Sequence, residues 1–127
     1  MDATELDILV KGYIEFTYAD EETKEKRNLY SYFYTIMNLI FDNPEDVWLI
    51  IKKILNKDSS PQMMSLLSAG ELESLLAMHG DKFIDRVEAE AKSNPDFAKL
   101  LGGVWQNTMS DELWMRIQKV CVKSWDK

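Results

Sequence analysis

The chain has 127 residues, 46% of them hydrophobic, which is enough apolar side chain for one core and suits a single domain spanning residues 1–127. With 22 acidic against 15 basic residues the formal charge is −7 and the pI near 4.7, so nucleic-acid phosphates and anionic bilayers are repelled on average, while a basic protein partner is favoured. No apolar run approaches the roughly 18 residues of a membrane span, and the start MDATELDILV puts acids where a secretory signal carries Lys or Arg, which points to a cytoplasmic protein.

In chain order, Leu6, Leu9, Val10, Tyr13 and Ile14 recur at three-and-four spacing and predict a one-sided helix over about Thr4 to Tyr18, with Thr4 as its cap. The polar stretch Asp20 to Asn28 begins or leads into a second helix, whose apolar stripe is Leu29, Phe33, Ile36, Met37 and Ile40. Tyr30, Tyr32 and Tyr34 alternate as a strand would, but the uninterrupted pattern from Leu29 to Phe41 is too long for one and favours helix. Asn43-Pro44-Glu45-Asp46 is a strong start signal: a capping amide, a proline at the first helical position and two acids in the first turn. Ser59-Ser60-Pro61 repeats it, and Gly70 is expected to end that short helix in a left-handed cap.

Leu72, Leu75, Leu76 and His79 then define a helix that Gly80 should close, with the next beginning at Asp81 and burying Phe83, Ile84, Val87 and Ala91. Asn94-Pro95-Asp96 restarts the chain, Gly102-Gly103 breaks it, and Ser110-Asp111-Glu112 caps a terminal helix with Leu113, Trp114, Ile117, Cys121 and Trp125 inward. The lone Cys121 cannot form an internal disulfide and is expected to pack as a small hydrophobe. The sum is an all-α protein, an irregular bundle of seven or eight short helices, with stacked helical hairpins as the alternative architecture.

The run Leu72-Glu73, Leu75-Leu76, His79-Gly80, Phe83-Ile84-Asp85-Arg86 and Glu88, followed by Pro95, Phe97, Leu101-Gly102-Gly103-Val104-Trp105-Gln106, Asp111, Trp114 and Arg116, resembles a family of small bacterial proteins known only as a domain of unknown function. Glu71 departs from that pattern, which has proline after the glycine. The resemblance implies the helical fold and brings no activity, cofactor or catalytic residue with it.

His79 is the chain's only side chain with an ordinary pKa near neutrality, so histidine acid–base chemistry would have to use it, with Glu73, Asp85 or Glu88 orienting the imidazole and Arg86 completing a polar cluster. Its phase with Leu72, Leu75 and Leu76, one residue before a glycine, favours a structural imidazole over a catalytic one. One His and one Cys cannot form a standard zinc site, the acids follow no calcium-loop pattern, and Gly102-Gly103 is not spaced to cradle phosphate, so neither metal nor cofactor is expected. Four tryptophans, Trp48, Trp105, Trp114 and Trp125, are a heavy load; Trp105, after the glycine pair, is the candidate anchor for a partner, although core filling is the commoner use of such a side chain. The expected function is therefore a non-enzymatic module that binds another protein through an acidic face, with toxin neutralisation of the immunity type as its most concrete version. A small hydrolase built on His79 and a carboxylate is the alternative, and self-association through the terminal helix is the third reading.

Overall fold

The computed structural model describes residues 1–123; the expected inward position of Trp125 lies outside them. Among the described residues are eight α-helices, one π-helical turn and no strand, so the protein is all-α as its periodicity predicts. The chain divides into two compact units between Asp58 and Ser59, a boundary that the reading of residues 1–127 as one domain does not draw.

The N-terminal unit, Met1–Asp58, holds α1 (Ala3–Tyr18), α2 (Glu21–Lys26), α3 (Tyr30–Asp42) and α4 (Pro44–Lys57). Asp2 rather than Thr4 caps α1: its carboxylate accepts the Glu5 amide at 2.8 Å while the Glu5 side chain accepts the Asp2 amide at 3.0 Å, a reciprocal box that satisfies two otherwise orphaned donors. The α2 segment is polar throughout and buries nothing. After it Asn28 takes a left-handed conformation (φ 53), which its short polar side chain tolerates, and turns the chain into α3. The three alternating tyrosines lie on helix, as the length of the pattern requires. Asn43 and Pro44 start α4 as read, with the Asn43 side chain accepting from the Asp46 amide. Helix α1 packs on both α3 and α4, and these two pack on each other; Val10, Ile36, Ile40, Ile50, Ile51 and Ile54 are fully enclosed.

The C-terminal unit begins with α5 (Pro61–Leu67), capped by Ser60, and runs without a break through a π-helical turn (Ser68–Leu72) into α6 (Glu73–Ser93). Neither predicted glycine stop exists: among the described residues no glycine has positive φ, and Gly70 and Gly80 both lie inside helix. The periodic signal changes at Gly80 because α6 bends at His79 (φ −131, ψ 18) and continues. Asn94 then caps α7 (Pro95–Leu101), and Ser110 caps α8 (Asp111–Val120).

Gly80 is required for contact rather than for conformation, since a Cβ there would overlap the Leu113 side chain and push α6 off α8. Cys121 is not on the last helix but is its C-terminal cap. It is half-buried, with its thiol pushed up from its usual pKa by desolvation. Beyond it the Val122 amide donates to the Ala98 carbonyl at 2.9 Å, tying this residue to α7.

Candidate functional site

Of the six residues singled out in the sequence, five fall in three places within the C-terminal unit and Arg86 lies apart, against Phe83. Glu73, at the start of α6, faces the α7–α8 connection: its Oε1 accepts the backbone N–H of Trp105 at 3.1 Å and its Oε2 accepts the Asn107 side-chain amide at 3.2 Å. Asn107 sits there in the left-handed region (φ 49). Gln106 fastens the other side of the loop by donating to the Met109 carbonyl at 3.1 Å and to the Asp111 carboxylate at 2.8 Å. Val104 and Met109 are buried, so the loop is anchored by apolar side chains as well as by hydrogen bonds.

Between those anchors Trp105 stands 73% exposed, the most exposed large hydrophobic side chain among the described residues. The expectation that it fills the core is overturned. The physical reason is the spacing of the loop: with Val104 turned inward and the Trp105 amide held by Glu73, the indole is left outside. Trp48 is buried and Trp114 half-buried.

Asp85 and Glu88 form the second place. One helical turn apart on α6, they face α8 and hold Arg116, whose Nε donates to Glu88 Oε2 at 2.9 Å and whose Nη2 donates to Glu88 Oε1 at 2.6 Å and to Asp85 Oδ1 at 2.8 Å. The Arg116 hydrogen bonds lower the Glu88 pKa from its usual value, and the two carboxylates raise that of the guanidinium, so both partners stay ionised. Arg86, the arginine nominated from sequence, is not part of this cluster; its guanidinium lies 4.3 Å from the Phe83 ring centroid. The three-residue spacing puts both carboxylates on one face of α6, and only the tertiary contact of α6 with α8 makes Arg116 their shared cation.

Because Glu88 is held below its ordinary value, its contribution to stability is fully present above the unfolded carboxylate pKa of about 4.3 and is lost as pH falls through the lowered folded value. Glu88→Gln should therefore flatten the acid limb of a melting-temperature profile below about pH 4.5 while lowering the plateau at neutral pH. An unchanged acid limb would show that the pair is too solvated to matter.

His79 is the third place. Its half-buried imidazole sits at the bend of α6, on a cleft of 430 Å³ that Lys82, Thr108, Ser110 and Leu113 also line. The helix that Gly80 was expected to close after His79 continues to Ser93, and each of Glu73, Asp85 and Glu88 has its own partner elsewhere. Among the described residues no group of three or more His, Cys, Asp or Glu side chains could hold a metal ion, and no helix is long and apolar enough to cross a membrane. Glu71, noted in the sequence only as a departure from the family pattern, lies in the π-helical turn and is 1% exposed, the most buried acid among the described residues.

No curated protein and no solved structure matches the chain. Residues 19–125, from before α2 to beyond α8, match one family, and since this is well over half of the 127 residues, the chain belongs to DUF6869, a family of unknown function.

Proposed function

We propose that this protein is a cytoplasmic, non-catalytic binding module that recognises another protein, with the Trp105 loop as its contact point. The supporting observation is a single one: a tryptophan 73% exposed on a loop whose backbone is fixed on both sides of it. Indole burial is among the largest gains available to a protein interface, and a loop already ordered loses little conformational freedom on docking. The acidic balance of the chain favours a basic partner through faster encounter. Neutralisation of a basic toxin is the most specific form of this reading.

A photo-cross-linking amino acid at position 105 should give one defined adduct with a second protein in cells, and the same group at exposed Lys119 should not. In the purified pair, Trp105→Ala should weaken binding by about 30-fold or more, as a central anchor does. His79→Gln should leave binding intact. Adducts only between copies of this chain, or Trp105→Ala binding at wild-type strength, would refute the reading.

A further inference from the structure

From Tyr30 to Phe41, α3 carries no charged side chain, in a chain that is 29% charged. Only Ile36 and Ile40 of this helix are buried, whereas Tyr34 and Phe41 are 59% and 67% exposed and Met37 lies half-buried between them. Tyr30, Tyr34, Met37 and Phe41 follow each other at four-, three- and four-residue steps, which aligns them in one stripe. Exposed positions of the other long helices include charge, as at Lys11 on α1 and Arg86 on α6. Ser31, Thr35 and Asn38 are the exposed polar positions of α3, and the large apolar stripe beside them is of the kind that marks an interaction surface. Its N-terminal half is already a firm platform, with the Phe16 and Phe33 rings stacked at 5.4 Å and the Tyr30 and Tyr34 rings at 6.2 Å.

The ends of the stripe carry negative charge. Before it, Asp20 to Arg27 contains four acids (Asp20, Glu21, Glu22, Glu25) against three bases (Lys24, Lys26, Arg27), and those bases pair with Glu21, Glu22 and Glu15. The Tyr30 hydroxyl donates to Glu21 Oε2 at 2.7 Å, which keeps that carboxylate ionised against the edge of the stripe. After it come the exposed Asp42 and Glu45, while Asp46 is buried and meets the N-terminal ammonium at 3.7 Å. A second copy would bring acids against acids, and an anionic lipid surface would be repelled; an apolar stripe flanked at both ends by carboxylates is complementary to an apolar stripe flanked by cations.

Resting on the interaction reading above but on a different surface, we infer that the Tyr30–Tyr34–Met37–Phe41 stripe of α3 docks an amphipathic helix of a partner protein, with apolar residues at i, i+3, i+4 and i+7 and Lys or Arg at its flanks. The probe is a Leu/Lys peptide of roughly 18 residues, five helical turns, patterned in that way, titrated into the isotope-labelled full chain. Amide shifts should concentrate on α3 and the start of α4, and a peptide with Glu in place of Lys should not bind. Phe41→Ser and Tyr34→Glu, both at exposed positions and checked for wild-type helical circular dichroism, should each weaken binding about tenfold or more, while Trp105→Ala should leave it unchanged.

Shifts that map elsewhere, or affinity indifferent to both α3 variants, overturn the inference. So does a concentration-dependent dimer that Phe41→Ser dissolves, which would assign the stripe to a second copy. Position-105 adducts to a partner, together with a peptide that misses α3, would sink this inference alone and leave the Trp105 reading standing.

Discussion

Phe97→Ala should cost about 3–5 kcal/mol of stability, whereas Trp105→Ala, eight residues on, should stay within about 0.5 kcal/mol of wild type in the absence of a partner. Phe97 is completely enclosed on α7, so truncation removes the transfer free energy of the ring and leaves a cavity among neighbours that relax only in part. Trp105 contributes almost nothing to that interior, because the loop amide bonded to Glu73 positions its backbone while the indole stays in solvent. Set against a typical stability of about 5–15 kcal/mol, the first variant should melt far lower or populate unfolded chain at 37 °C, and the second should be a well-behaved protein. Denaturant unfolding with matched slopes measures both. A Trp105→Ala variant that loses more than about 2 kcal/mol would mean that the indole is a structural side chain, and with that the principal support for the binding reading would go.

The contrast also marks what could be read from the residues alone. Phe97 follows Asn94-Pro95-Asp96, a local start signal whose chemistry fixes the phase of the helix, and the phase fixes the buried face. The same holds for Asn43-Pro44, Ser60-Pro61 and Ser110, each of which caps the helix predicted from it. Trp105 has no such frame: it sits in an irregular connection where the direction of a side chain is set by a hydrogen bond to Glu73, 32 residues earlier. Arg116 is similar, because its two carboxylates lie on another helix and local spacing cannot choose between it and Arg86. The burial of Glu71 is hidden for a related reason. An acid beside a glycine suits a helix start, but α5 and α6 are joined by a π-helical turn, and no residue-level preference announces that extra winding. Glycine misled at Gly70 and Gly80, and the left-handed residue that does follow a helix end is Asn28, after α2.

Gly80 therefore makes the sharper test of how the C-terminal unit is assembled. Alanine is the better helix former by about 1 kcal/mol, so on propensity alone Gly80→Ala should stabilise α6. The added Cβ would instead occupy the place of Leu113 Cδ2, and displacing a buried leucine from the α6–α8 contact costs about 1–3 kcal/mol, so the net effect should be destabilising. Leu113→Ala alone should cost about 2–5 kcal/mol by opening a cavity. Combined, the small residue at 113 makes room for the methyl at 80, and the double variant should be more stable than the sum of the single losses by about 0.5–3 kcal/mol. Gly70 supplies the control: a Cβ there meets nothing within 4 Å and its φ is not positive, so Gly70→Ala should gain up to about 1 kcal/mol. If Gly80→Ala is instead neutral or stabilising and shows no coupling to Leu113→Ala, the close approach of α6 and α8 is not what holds Gly80 in place. The grip of Asp85 and Glu88 on Arg116, which spans the same two helices, would then be the contact that sets their spacing.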